Sequence, residues 1–352
     1  MSSGAGFDVP EAHHAPVRVG VIGTGRIGRL HAQLLAGEVP GLRLAGVSDV
    51  NTGAAAACAA RLGTTAATVD EILARADVDA VAICSSTGSH AELSVRAAKA
   101  GKAIFCEKPL SLDLAATDDV LAAITASGVP FMVGFNRRFD PAHQAVRDAA
   151  AEGRLGDLHL LRITSRDPAP PPPEYVRGSG GIFLDMTIHD FDMARYVTGQ
   201  EVVEVYARGE VRVDPKIGAE GDLDTAVVVL THEDRTLTVI DNSREAVYGF
   251  DQRVEAFGSG GMAVSENPRA HTAVILGAGV ACAQPLPWFF LDRYLPSYRR
   301  EWAAFARYVR DGGPSPVPGS AARAPVAIGL AAWRSVREGR PVRLAEPEMG
   351  TA

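Results

Sequence analysis

Apolar and polar positions in the first third of the chain fall into blocks that switch between a two-residue and a helical period. Short β-branched runs over 17–22 and 42–48 bracket a stretch of helical spacing from 27 to 35. The rhythm continues with helices over 52–62 and 69–75, a strand over 80–84 and a helix running to 100. A strand over 102–106, a helix over 111–127 and a strand over 130–133 complete it. Strands alternating with helices predict a doubly wound parallel sheet. Ligands in such sheets bind beyond the carboxyl ends of the strands. Residues 23–28, Asp49, the turn 85–90, Glu107, Lys108 and 135–138 all follow strand ends and are expected on one rim.

Past residue 139 the pattern changes. A helix over 141–152 and a strand over 158–165 lead to a proline run at 168–173, which predicts a stiff extended edge. A single helix then opens at Gly180 and Gly181 and runs to Tyr196. Strands at 201–210, 225–230, 235–242, 252–257 and 262–265, joined by short turns, predict an antiparallel sheet. Helices over 291–309 and 321–337 flank a Pro/Gly-rich linker at 312–319. The expected fold class is α/β, a doubly wound parallel sheet followed by an α+β domain with a large, mostly antiparallel sheet. The expected boundaries are a loose tail over 1–16, a first domain over 17–138 and a second over 139–352.

Composition narrows the classes. The 352 residues suffice for two domains at about 150 residues each. With 35 basic and 42 acidic side chains the net charge is −7, and no basic block suits a phosphate backbone, which argues against nucleic acid. No apolar run reaches the length of a membrane span, and the tail lacks the charged and apolar regions of a signal peptide. His13 and His14 lie in that tail and carry no assigned role. Cys58, Cys84, Cys106 and Cys282 form no C-x-x-C, so neither a zinc site nor a disulfide framework is indicated, and a reducing cytoplasm fits. No metal site is expected, because the histidines do not fall at ligand spacing.

The candidate chemistry begins at Gly23, Gly25 and Gly28. A G-x-G-x-x-G between a strand and a helix permits a tight turn and close approach of a pyrophosphate to backbone N–H groups. Asp49 follows Gly28 by 21 residues, near the roughly 20 expected for the acid that holds the ribose hydroxyls. A carboxylate there repels a 2′-phosphate, and Val50, Asn51 and Thr52 supply no arginine, so NAD is expected over NADP. In the 180–196 stretch, Asp185 and His189 stand four apart, hence on one helical face. A carboxylate beside an imidazole would raise its basicity and orient it as a general base. Taken alone, the same pair also suits an ordinary helix start. Asp190 and Asp192 read as structural. Lys108, pushed toward extended geometry by Pro109, is a compact cation able to stabilise alkoxide character. Lys108, Asn136, Arg137, Asp167, Asp185, Thr187, His189, Tyr248 and Asp251 offer a polar pocket suited to a polyol rather than a steroid or fatty alcohol.

These motifs, with Glu107-Lys108-Pro109 and Gly134-Phe-Asn-Arg-Arg-Phe139, resemble the glucose–fructose oxidoreductase/inositol dehydrogenase (Gfo/Idh/MocA) family over 17–337. The strings 181–196 and 242–258 look most like its inositol-oxidising members. The resemblance implies a Rossmann domain, a second domain whose open sheet packs on another subunit, a homotetramer, and oxidation of a secondary ring hydroxyl by NAD(P). It implies a catalytic lysine at Lys108, completed by Asp185 and His189. The expected cofactor contacts are Gly23, Gly25, Arg26, Ile27, Gly28, Asp49, Val50, Ser85, Ser86, His90, Glu107, Lys108, Asn136 and Arg137. The expected substrate contacts are Lys108, Asn136, Arg137, Asp167, Asp185, His189 and Tyr248. The turn before His90 departs from the family in lacking the frequent Thr-Pro pair. The expected reaction is myo-inositol to 2-keto-myo-inositol (scyllo-inosose), with a scyllo-inositol or sugar dehydrogenase as the alternative. A dinucleotide-binding regulator without catalysis should have lost part of the Lys108, Asp185 and His189 set, and all three are present.

Overall fold

A computed structural model describes residues 15–345. Most of the expected tail, with His13 and His14, lies outside the described residues. Strands β1 (Val17–Ile22), β2 (Leu42–Ser48), β3 (Ala80–Ile83), β4 (Ala103–Glu107) and β5 (Phe131–Gly134) form a parallel sheet in the order β2-β1-β3-β4-β5. Helices α1 (Arg26–Gln33), α2 (Thr52–Leu62), α3 (Val69–Ala74), α4 (Thr87–Lys99) and α5 (Leu114–Ser127) make the crossovers. A parallel sheet covered on both faces buries its strands from both sides; β3 and β4 are buried at every position and therefore read as unbroken apolar runs. Local chemistry sets the helix starts. Asn51 accepts from the Ala54 amide, Thr68 and Glu71 form a capping box, and Asp113 accepts from the Ala116 amide.

The second sheet follows through α6 (Pro141–Ala151), β6 (Leu158–Arg166), α7 (Pro173–Ser179), α8 (Gly181–Asp185), α9 (Ile188–Thr198), β7 (Val202–Glu210) and α10 (Pro215–Ala219). It continues with β8 (Thr225–His232), β9 (Leu237–Ser243), β10 (Asp251–Gly258) and β11 (Gly261–Ser265). A hairpin of β12 (Val274–Gly277) and β13 (Val280–Ala283), helices α11 (Phe290–Asp311) and α12 (Gly319–Glu338), and β14 (Val342–Arg343) complete the chain. The sheet runs β11-β10-β6-β9-β8-β7-β14 and is antiparallel except where β6 lies parallel to β9. That parallel register pairs Ser165 with Asn242 and Arg166 with Ser243, so the residues following both strands emerge at one end. Helices α6, α9 and α12 cover one face. The other presents Tyr206, Val227, Phe257, Met262 and Val264 to solvent.

The C-terminal helices join the layers. Tyr294, Tyr298, Trp302 and Phe305 of α11 enter the core of the first sheet, whereas Ile328 and Ala332 of α12 enter the second. Burying each such large side chain is worth about 1.5–3 kcal/mol.

Several sequence expectations are corrected. The helix expected from Gly180 to Tyr196 is two helices, because α8 ends at Asp185 and α9 begins after Thr187. A tertiary partner holds the break: Thr187 Oγ1 donates to Asn242 Oδ1 at 2.6 Å, while Asp222 Oδ1 caps the start of α8 by accepting from the Ile182 amide at 2.8 Å. The proline run is extended only to Pro172, and Pro173 at the first turn starts α7, where its missing N–H costs nothing. The Lys108–Pro109 peptide is cis. The β12–β13 hairpin occupies a stretch for which no element was expected.

Candidate active site

Lys108 follows β4, Asn136 and Arg137 follow β5, and Asp167 and Arg244 follow the parallel pair β6 and β9. Asp185 closes α8 and His189 lies in the first turn of α9. The strand ends of both sheets thus converge on the α8–α9 break. Lys108 Nζ donates to the Asp185 main-chain oxygen at 2.7 Å and lies 3.6 Å from its Oδ1. An ammonium has three N–H donors, so this anchor leaves donors for a ligand.

The expected Asp185–His189 pair is not formed. With the helix broken between them, the Asp185 carboxylate turns to Tyr175 Oη at 2.9 Å and Arg244 Nη1 at 3.4 Å. Arg244, itself buried, also pairs with Asp222 at 3.2 Å. Asp185 therefore orients Lys108. His189 Nδ1 is buried with no hydrogen-bond partner, and its ring meets Phe135 edge-on with centroids 5.9 Å apart. Burial, then the charges of Lys108 and Arg137, push its pKa well below the usual histidine value. The basicity of His189 is lowered rather than raised, and the imidazole stays neutral at neutral pH.

Other expected residues divide between pocket and scaffold. Asn136 has a buried Nδ2 without a hydrogen-bond partner. Arg137 is turned inward, donating to Asp190 Oδ1 at 2.6 Å and Ser165 Oγ at 2.8 Å. Asp190 also accepts from Asn242 Nδ2 at 2.8 Å, and Asp192 takes a two-pronged pair from Arg138; both acids hold the fold. Asp167 has no hydrogen bond to its carboxylate among the described residues. Burial raises its pKa to about 6, with Arg244 opposing and Asp185 reinforcing. Tyr248 is half-exposed, its hydroxyl donating to Asp251 at 2.8 Å and accepting from Arg166 at 3.0 Å. The side chains of Glu107 and His90 are buried against the protein itself: Glu107 on His31 at 2.8 Å, His90 on the carbonyls of Ser85 and Pro109. Tyr175, Asp222, Arg244 and Asn242 were missed. Arg244 could have been found as a polar residue just past a strand end, whereas Tyr175 has no local signal.

The rim fits a dinucleotide. Gly23 has φ 98°, and a Cβ there would lie 2.5 Å from the Ser85 amide nitrogen, so only glycine makes this turn. Gly25 faces open space at the start of α1, leaving backbone N–H groups free for a pyrophosphate. Arg26 is exposed there, with its guanidinium 5.2 Å from the Phe289 ring, and Ile27 is partly buried beside it. Ser85 Oγ pairs with Ser89 Oγ at 2.7 Å and Ser86 stands exposed before α4. Asp49 accepts from the Thr24 amide at 2.6 Å and the Asn51 amide at 2.8 Å. Burial pushes its carboxyl up, but these bonds hold it below the usual range. Val50 beside it is fully exposed. A 2′-phosphate would remove the 2′-hydroxyl hydrogen bond to this charge, worth about 1.5–3 kcal/mol, and set a like charge beside it. NADP is accordingly expected to give a kcat/KM at least about a hundredfold below NAD; comparable values in parallel initial-rate assays would contradict this.

Comparison with known proteins agrees. Residues 17–135 match an oxidoreductase family with an NAD-binding Rossmann fold, and residues 143–264 match the Gfo/Idh/MocA C-terminal domain. Myo-inositol 2-dehydrogenase of Thermotoga maritima is 48% identical over 94% of this chain and 99% of its own. The crystal structure of a myo-inositol dehydrogenase from Corynebacterium glutamicum superposes with a TM-score of 0.89 at 39% identity, covering 94% of this chain and 100% of that one. Scyllo-inositol dehydrogenase from Lactobacillus casei, solved with NAD(H) and scyllo-inositol, gives 0.88 at 28% identity, over 94% and 100%. With the glycine turn, the Asp49 rim and the Lys108 turn meeting the α8–α9 break in one fold, the chain belongs to the Gfo/Idh/MocA family of NAD-binding oxidoreductases.

Proposed function

We propose that the protein is an NAD-dependent inositol 2-dehydrogenase, oxidising myo-inositol to 2-keto-myo-inositol. The observation that carries this reading is the anchored Lys108 cation facing a neutral His189 at the dinucleotide rim. The myo-inositol enzymes of Thermotoga maritima and Corynebacterium glutamicum stand at 48% and 39% identity, whereas the scyllo-inositol enzymes stand at 35% and 28%, which favours myo-inositol over scyllo-inositol or an aldose.

NAD, when bound along Gly23–Gly28 and Asp49, supplies the hydride acceptor. Gly23, Gly25, Gly28 and Asp49 hold its phosphates and ribose, and the unpartnered Asn136 amide meets its nicotinamide end or the substrate. Lys108 donates to the reacting hydroxyl and stabilises the negative charge that develops on its oxygen. His189 accepts the hydroxyl proton; held neutral, it is in the accepting form across the neutral range. Asp185 fixes Lys108 from behind, and Arg244 and Tyr175 fix Asp185. Asp167 accepts from the neighbouring ring hydroxyls. The outward apolar face of the second sheet suits burial between copies in a homotetramer, and the buried free cysteines Cys58, Cys84 and Cys106 suit a reducing cytoplasm.

Initial rates of NADH formation with myo-inositol, scyllo-inositol, chiro-inositol, glucose and xylose test the assignment. Myo-inositol is expected to give the highest kcat/KM, and no turnover of any cyclitol would overturn it. Ionised Asp167 accepts hydroxyls and protonated Asp167 does so poorly, so kcat/KM is expected to fall below about pH 6. Asp167→Asn should weaken binding and flatten that acid limb. An unchanged limb in Asp167→Asn would assign the titration to another group.

A further inference from the structure

The turn carrying Lys108 is gripped from two sides by buried histidines, and the partners of each fix where its protons sit. His90 on α4 is 2% exposed; its Nδ1 lies 2.8 Å from the Pro109 carbonyl oxygen and its Nε2 lies 3.0 Å from that of Ser85. Carbonyl oxygens only accept, so both contacts are hydrogen bonds only if both ring nitrogens carry protons. The geometry is that of an imidazolium. Burial opposes that charge, but the adjacent Cys106 sulfur and the two carbonyls outweigh it and raise the pKa to about 9.

His31 on α1 is fully buried and of the opposite kind. Trp302 Nε1 lies 2.8 Å from its Nδ1, and an indole can only donate. Nδ1 is therefore the acceptor, and the single proton sits on Nε2, which donates to Glu107 Oε1 at 2.8 Å. The other Glu107 oxygen takes the Lys108 main-chain N–H at 3.3 Å. Phe105, Tyr298 and Trp302 meet the His31 ring edge-on, which locks its orientation. The residues on both sides of Lys108 are thus tied to elements that lie elsewhere in the sequence.

We propose that His90, a buried imidazolium bridging the Ser85 and Pro109 carbonyls, and neutral His31, holding Glu107, are positioning residues that fix the turn from which Lys108 reaches the reacting oxygen. The inference rests on the reading of Lys108 as the catalytic cation. A long, flexible side chain is aimed only as well as its backbone is held, and a displacement near 1 Å costs about a hundredfold in rate. Removing the His90 donors would leave two inward-facing carbonyls without partners and free the proline side of the turn.

His90→Leu and His90→Gln separate this role from general packing, because the glutamine amide keeps two N–H donors. His90→Leu is expected to lower kcat by about tenfold to a hundredfold, with KM for myo-inositol little changed, and His90→Gln to recover most of the loss. A kcat for His90→Leu within about twofold of wild type, or equal losses in both variants, would overturn the proposal. Nitrogen-15 NMR of the wild-type protein decides independently of activity. His90, assigned by the signals missing in His90→Gln, should show two protonated nitrogens in mildly alkaline buffer, and a singly protonated ring would overturn the proposal. If the wild-type enzyme turns over no cyclitol, the assigned reaction fails while the NMR still judges the clamp. If wild type is active and His90→Leu matches it, only the clamp fails.

Discussion

Lys108→Ala is expected to lower kcat by about two to three orders of magnitude while leaving NAD affinity nearly unchanged. The ammonium is anchored at 2.7 Å by a main-chain oxygen and backed by the Asp185 carboxylate, so it is positioned before substrate arrives. A unit charge about 4 Å from a developing alkoxide is worth about 4 kcal/mol at an effective dielectric near 20. Alanine removes that interaction in the transition state and touches none of the groups at the Asp49 end of the rim. Lys108→Arg is expected to fail as well, because a planar fork cannot take the place of a compact ammonium held by one carbonyl. Stopped-flow NADH formation together with NAD titration by fluorescence checks both halves. A Lys108→Ala enzyme turning over at more than about a tenth of the wild-type rate would remove the lysine from the reaction.

His189→Ala is expected to cost about a hundredfold or more in kcat, with a changed pH dependence. In the wild-type protein, burial and the charges of Lys108 and Arg137 keep the imidazole neutral far into the acid range, so the accepting form is present throughout the neutral range. Without the imidazole, the proton must leave to solvent, and the residual rate should climb with pH where the wild-type rate is flat. The orphaned Nδ1 supports the assignment: a histidine kept for packing alone would be expected to have satisfied that nitrogen. A His189→Ala enzyme with a near-normal rate and an unchanged pH profile would leave Lys108 without a base of this kind.

Features that depend on short-range sequence were legible. The parallel strands could be read because burial on both faces makes each a run of apolar residues, and the glycine turn because positive φ at Gly23 and backbone contact with Ser85 admit no side chain. The polar residues following strand ends were found by topology, which brings Lys108, Asn136 and Asp167 to one region. What was missed depends on contacts remote in sequence. The α8–α9 break is held by Asn242 through Thr187, and no local pattern in 180–196 reveals it. With the break came the wrong partner for Asp185, since helical spacing places it beside His189 only if the helix is continuous. Tyr175 reaches Asp185 because the proline run ends in a helix, and Trp302 reaches His31 because α11 folds back on the first sheet. Glu107 and Arg137 read as cofactor ligands in a linear motif, and the structure adds the buried side-chain partners His31, Ser165 and Asp190.

In the proposed reaction a hydride passes directly from a carbinol carbon of myo-inositol to NAD. The most direct measurement uses myo-inositol deuterated at C2 in ordinary water, with mass analysis of the nicotinamide product. The expected product is NADH carrying one substrate-derived deuterium, formed together with 2-keto-myo-inositol. Reduced cofactor without deuterium, or loss of the label to solvent, would contradict direct transfer from that carbon.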